Sequence, residues 1–386
     1  MAGSMPTFEN HLPRRVITGR GASAGLPSIC HAQGWRRVFL VSDGGVEAAG
    51  LTRRVAQPLL DAGALVDTFV DVPPEPPIGV VDDIAARMVA SGADATVALG
   101  GGSVMDAAKV ASLCARHGKA AREFLGIGKA GGRGLPTVLI PTTAGTGSEA
   151  TFVAILTDDA TGNKAGVVDP CLLPDVAIVD PELTDGLPPR VTAAAGMDAV
   201  VHAVEAFIAR NATPIARGLA LEAARHLGRW LEVVCRDPGC HEARDGMAIG
   251  SHLAGMAFAN ASCCAVHALA LPLGGRFHIP HGVITGCFVG EMVRHNAPAS
   301  AADFMVFSAA LGWGTLSAGA FADRLDAVAD DIGLRSVLMS TPVPTEAVPS
   351  MAADAVANRR LMDPNPRDVT VDDAIRIYRT VLHSAS

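Results

Sequence analysis

The sequence has no run of lysines and arginines and no stripe of aromatic and basic residues, and its formal net charge is -8. It therefore lacks the electrostatic footprint of a nucleic-acid binder, and no polyanionic partner is expected. Its eight cysteines (Cys30, Cys114, Cys171, Cys235, Cys240, Cys263, Cys264 and Cys287) include no CxxC pair and follow no secretory signal. That pattern fits packing residues with reduced thiols in a cytoplasmic protein. No stretch approaches the roughly 20 uninterrupted apolar residues of a membrane span, because Asp, Arg, His and Gly break every Ala-rich segment. Neither a long low-complexity tract nor an internal repeat is found. Met1–Ser4 reads as an expression scar ahead of a native start at Met5.

What remains is a chain of 386 residues, 49% of them hydrophobic, which is more than one core usually organises. From Arg36 to about Asp180, short β-branched runs (Val38–Val41, Leu65–Phe69, Ala95–Leu99, Leu135–Ile140, Val176–Val179) alternate with helical patterns at Leu51–Gly63 and Val80–Ser91. This is the βαβ rhythm of a parallel, Rossmann-like sheet. Beyond Pro188 and Pro189 the texture changes to long Ala-, Leu- and Arg-rich stretches at helical spacing, such as 217–234 and 320–331. The expectation is an α/β dinucleotide-binding domain over residues 1–185, followed by an all-helical metal-binding and substrate domain over 186–386.

Gly100-Gly101-Gly102-Ser103 follows a predicted strand and opens a predicted helix. Backbone N–H groups and the positive end of the helix dipole converge there on space fit for a phosphate. The other reading is a Gly-rich turn that only lets strand and helix pack closely. Asp106 and Lys109 lie on the first turns of the same helix. A second polar loop, Pro141–Glu149 with Thr142, Thr143 and Ser148, follows another strand. Two such loops flank the carboxyl-end crevice where open α/β sheets bind ligands. Asp43, at the end of the strand Val38–Val41, is placed to accept from ribose hydroxyls and to repel a 2′-phosphate, which favours NAD over NADP. It is equally an ordinary turn former before Gly44-Gly45.

In the helical half, Asp198 and His202 are four apart and so share a helix face. His267 and His281 lie further along. One carboxylate and three imidazoles suit Fe(II) or Zn(II), with a position open for a substrate oxygen. His252, His278 and His295 are taken as structural, His278 also being a candidate proton relay.

Four blocks in order, GGGSVMDAAK (100–109), PTTAGTGSEAT (141–151), GMDAVVHAVEAF (196–207) and VHALALPLGG through IPHG (266–282), resemble the iron-containing, or group III, alcohol dehydrogenases. The resemblance implies a cleft between the two halves where nicotinamide meets metal. Asp198, His202, His267 and His281 are then the metal ligands, with His267 and His281 at the reacting end; His278, outside the matched positions, joins them there only as the candidate relay. Gly100, Gly101, Gly102, Ser103, Asp106, Thr142, Thr143 and Lys164 surround the dinucleotide. A homodimer or larger homo-oligomer follows as the expected assembly. The implied activity is hydride transfer between NAD(H) and an alcohol or aldehyde. The alternatives are a dehydroquinate-synthase-like lyase or cyclase, disfavoured by a metal region poor in cations, and a catalytically silent binding protein. One departure stands out: Leu271 replaces the second histidine of the family's HALAH segment, leaving the pocket more apolar beside Phe152, Phe258, Cys263 and Cys264.

Overall fold

The structure, a computed structural model, describes residues 7–160 and 164–383; the presumed scar at Met1–Ser4 lies outside them. Six parallel strands build the N-terminal sheet: β1 (Val16–Thr18), β2 (Arg37–Val41), β3 (Leu65–Phe69), β4 (Ala95–Gly100), β6 (Thr137–Pro141) and β9 (Val176–Val179). Their order is β1-β9-β6-β4-β2-β3. β4 and β6 are buried along their whole length, because helices cover both faces. Phe39, Val41, Ala98 and Leu139 pack under α4 (Ile78–Ser91) and α5 (Gly102–His117). Val38, Leu40, Val97 and Leu99 pack under α1 (Leu26–Gln33) and α3 (Leu51–Asp61). The strands therefore read as unbroken apolar runs, alternate residues feeding opposite cores.

The chain moves outward from β2 to β3 and then returns across β2 to β4. That reversal opens a crevice between the carboxyl ends of β2 and β4. Asp43, the N-cap of the short helix α2 (Gly44–Ala48), stands at one lip, and Gly100–Ser103 stands at the other. A second, three-stranded sheet was not foreseen from the sequence. It comprises β5 (Gly126–Ile127), β7 (Val153–Thr157) and β8 (Lys164–Val168) in the order β5-β8-β7, with β7 and β8 antiparallel.

From Pro189 onward the described chain is helical: α6 (Pro189–Ile208), α7 (Pro214–Arg236), α8 (His241–Ala261), α9 (Ala265–Phe277), α10 (His281–Ala310), α11 (Ala318–Asp331), α12 (Leu334–Met339), α13 (Val348–Ala357), α14 (Arg359–Met362) and α15 (Val371–His383). α6 is the central rod, packed against α7, α8 and α10. Among the described residues it alone is long and apolar enough as a single helix to cross a bilayer, yet 83% of its apolar window is buried inside the fold. The two halves meet where Gly147, at φ 58°, passes so close to α8 that a Cβ there would lie 2.5 Å from Gly255 Cα. Beside that seam, His252 of α8 bonds Glu149 at 2.9 Å with both side chains buried, so His252 ties the halves together.

Candidate active site

α6 carries Asp198 and His202 one turn apart. The first turn of α9 supplies His267, and His281 opens α10. Asp198 is the hub of the cluster. Its Oδ1 lies 3.8 Å from His267 Nε2 and 3.7 Å from His281 Nε2, and its Oδ2 lies 3.9 Å from His202 Nδ1. Oδ1 also accepts from Thr285 Oγ1 at 2.8 Å. Second partners fix the rings. His267 Nδ1–H donates to Glu205 Oε2 at 2.5 Å, and His202 Nδ1–H donates to the Gly145 carbonyl at 3.2 Å. With Nδ1–H spent on that acceptor, each ring in its neutral form carries its lone pair on Nε2.

His267 Nε2 is buried and has no hydrogen-bond partner. An orphaned buried nitrogen is costly unless something accepts its lone pair. Burial pushes the His202 imidazole down to about 3, so the ring is held neutral, the form that binds a cation. Burial also works to raise the Asp198 carboxyl, and the three imidazoles beside it more than offset that. Asp198, His267 and His281 bring ligand atoms within 4.8 Å of one another, and His202 stands beside them in a second such group with His267; a carboxylate with imidazoles around it is a donor set that fits a divalent ion of the Fe(II) or Zn(II) type.

Glycines set this spacing. A Cβ on Gly145 would lie 2.7 Å from Ala195 Cβ, and one on Gly282 would collide with the Ala194 carbonyl oxygen. The start of α10, with His281, can therefore approach α6 only if residue 282 has no side chain. Gly282→Ala is expected to cost about 1–3 kcal/mol of stability as the backbone shifts. It should also lower the metal content of the purified protein, checked by thermal melts and elemental analysis.

The cluster forms one wall of a cleft of about 530 Å³ between the halves. Of the cofactor-binding candidates, Gly102, Ser103, Asp106, Ser148 and Lys164 line it, whereas Asp43, Gly100, Gly101, Thr142 and Thr143 do not. Thr142 N donates to Gly100 O at 3.0 Å, which joins the two strand-end loops. Asp43 Oδ1 accepts from Gly45 N and Val46 N, the turn-forming role. Asp106 is committed within the protein: its Oδ1 accepts from Ser148 Oγ at 2.6 Å and its Oδ2 from Ile155 N at 2.9 Å. The ammonium of Lys109 is buried beneath, bonded to Ser148 Oγ, Thr151 Oγ1 and Val153 O. Lys164 pairs with Glu75 Oε2 at 2.9 Å.

His278 is not brought to the cleft. It caps α9 with φ 53°, is exposed, and is absent from the cleft lining. Phe152, Phe258, Cys263 and Leu271 do line the cleft, but Cys264 turns away, its Sγ toward Glu205 O at 3.8 Å.

The N-terminal part of the chain, residues 13–181, matches the family model described as iron-containing alcohol dehydrogenase, and residues 192–382 match the model of that family's C-terminal part. The chain belongs to the iron-containing alcohol dehydrogenase family. It is 38% identical over 371 residues to long-chain-alcohol dehydrogenase 1 of Geobacillus thermodenitrificans, covering 93% of each chain. A solved 1,3-propanediol oxidoreductase superposes with a TM-score of 0.92 at 32% identity, covering 98% of this chain and all of that one. Sulfoacetaldehyde reductase from Bifidobacterium kashiwanohense, solved with NAD+, superposes with a TM-score of 0.90 at 30% identity, covering 99% and 100%. These relatives are oxidoreductases, and neither a lyase nor a silent scaffold has support among them.

As an iron-containing alcohol dehydrogenase, the protein is an NAD-linked, metal-dependent oxidoreductase of alcohols and aldehydes. Two features of the site, Glu205 and Arg360, escaped the sequence reading, as did the closeness of Cys263 to the histidines. Glu205 is buried and accepts from Cys264 N, Val266 N and the His267 ring together; the i,i+3 spacing from His202 on the helix was its only signal. Cys263 lies with His202 and His267 in a group whose ligand atoms are all within 4.8 Å. Arg360 reaches the cleft from α14, placed there by tertiary folding alone.

Proposed function

We propose that Asp198, His202, His267 and His281 hold one divalent ion, Fe(II) or Zn(II), facing the nicotinamide of NAD across the cleft, and that a primary or secondary alcohol is interconverted there with its aldehyde or ketone. The observation that carries this is the orphaned Nε2 of buried His267 beside Asp198. Such an ion supplies Lewis acidity toward a substrate oxygen. The protein's own part is positional. Glu205 and Gly145 O fix the rings of His267 and His202. Phe258, stacked on His202 with centroids 4.4 Å apart, packs one side of the cluster. Leu271 and Phe152 exclude water beside the reacting carbon. With His278 outside the cleft and leucine at 271, among the described residues no imidazole beyond the four lines the cleft except His11, which packs edge-on against Phe152. The outgoing proton leaves through cleft water.

On the cofactor side, the N-terminus of α5 at Gly101–Ser103 takes the pyrophosphate, and Asp43 Oδ2 takes the ribose hydroxyls. This reading is supported by the position of both at the topological reversal of the sheet. Gly102→Val is expected to weaken NADH binding about 10- to 100-fold, because its side chain occupies the phosphate approach against Thr146. Fluorescence titration of NADH checks it. A cytoplasmic homodimer or larger homo-oligomer belongs to the same proposal; sedimentation reads the assembly. The test of the whole is to load anaerobically purified protein with Fe(II) or Zn(II) and follow NADH absorbance over a panel of aldehydes and alcohols. Absence of turnover with every metal and substrate, while a family relative runs in parallel, would refute it.

A further inference from the structure

The ionised side chains lining the cleft are nearly all paired. Glu75 holds Lys164, Glu9 lies 3.3 Å from His11 Nε2, Asp106 is bonded to Ser148 and Ile155, and Asp198 belongs to the imidazole cluster. Arg360 is the exception. Among the described residues its guanidinium has no hydrogen bond, ion pair or ring contact, while its neighbour Arg359 pairs with Asp363. The helix that carries it is nonetheless fixed in place. α14 packs on α9, and Leu361 and Met362, which follow it, are buried. Burial among the surrounding atoms lowers its pKa, and the one group that opposes this is Cys263. No carboxylate contributes. Cys263 is also the residue whose sulfur stands with the ligand atoms of His202 and His267. Arg360 thus lines the same cleft as the metal cluster and Cys263, on the helical half, and the Gly100–Ser103 loop belongs to the other half.

We propose, on the basis of the dehydrogenase reading above, that Arg360 is the specificity-determining residue of the cleft and that the substrate is a short-chain aldehyde or alcohol bearing an oxyanion, such as a carboxylate or sulfonate, at its far end. A planar guanidinium with free N–H groups in a concave, partly desolvated site is matched by two oxygens of one anion. Its place on the helical wall of the cleft, the wall that carries the metal cluster, assigns that anion to the substrate and not to the dinucleotide phosphates. Asn211, which lines the same cleft, offers an amide group for an acid's remaining oxygen, and Phe258 and Leu361 pack a short methylene chain. The reaction needs nothing beyond the established chemistry: hydride passes from NADH to the carbonyl carbon, one proton is taken up, and the oxyanion is unchanged.

The experiment compares metal-loaded wild type with Arg360→Gln, a change at an exposed, unpaired side chain, using 4-oxobutanoate and its uncharged counterpart butanal with NADH. The wild type is expected to favour 4-oxobutanoate in kcat/KM. Arg360→Gln should lose about 10- to 100-fold on that substrate, the worth of a charge-assisted hydrogen bond, with butanal turnover retained. Calorimetric titration of the NAD+ complex with 4-hydroxybutanoate and with 1-butanol reads the same preference without turnover. Equal or reversed preference in the wild type, or a ratio unchanged by Arg360→Gln, overturns the proposal. A wild type that reduces butanal without favouring the charged substrate defeats only this assignment, whereas one that turns over neither aldehyde yet binds the hydroxy acid through Arg360 defeats the dehydrogenase reading and leaves the anion site standing.

Discussion

His267→Ala is expected to lose its divalent ion and, with it, turnover by about 1000-fold or more, since several kcal/mol of charge stabilisation at the substrate oxygen go with the metal. The effect is large because His267 is central to the cluster: its ring stacks on His202 at 4.7 Å between centroids and stands 5.3 Å from that of His281. Removing it takes away one ligand and unseats the two imidazoles on either side. The fold should persist, because Glu205 still accepts from Cys264 N and Val266 N and so still holds the start of α9. The checks are elemental analysis for metal, far-UV circular dichroism for fold, and steady-state reduction of an aldehyde. Full activity in this variant would remove His267 from the ligand set.

The sheet and the helical half were legible because their signals are local. A strand such as Ala95–Gly100, buried on both faces, must be apolar throughout, and a rod such as Pro214–Arg236 must repeat at helical spacing. The sheet of β5, β7 and β8 was not legible: β5 is two residues long, β8 contains Gly166, and β7 is only half-buried. Their pairing is decided by what they cover, namely α5 and the buried Lys109. In the site, the i,i+4 pair Asp198 and His202 is visible because one helix turn fixes it. The meeting of His267 and His281 with that pair depends on Gly282 passing Ala194, a close approach that reads in sequence only as one more glycine. His278 shows the opposite error. Three residues before His281 it looks close to the centre, but the left-handed turn that ends α9 at that residue leaves it outside the cleft. Arg360 lies 93 positions beyond His267 and nothing local marks it, which is why the metal region read as poor in cations.

Glu205 was invisible for a related reason, and it should give the second large effect. On α6 it sits three residues past His202, inside an apolar stretch where a carboxylate would ordinarily be unaffordable; it is 2% exposed. Its two oxygens accept three donors: the backbone N–H groups of Cys264 and Val266 at 2.9 and 2.7 Å, and His267 Nδ1–H. It therefore caps α9 and orients a ligand with one group. Glu205→Ala leaves three buried donors without an acceptor and is expected to cost about 3 kcal/mol or more in stability, seen in denaturant melts of the metal-free protein. Glu205→Gln separates the two duties. Its amide oxygen can still accept from Val266 N, while an NH2 group in place of Oε2 can accept neither from Cys264 N nor from the imidazole and drives the proton on His267 toward Nε2, the atom that must stay bare. That variant should keep more of the stability than Glu205→Ala and lose about 10- to 100-fold in metal affinity, measured by competition with a chelating dye. Equal losses in the two variants by both measurements would mean that Glu205 serves the helix alone.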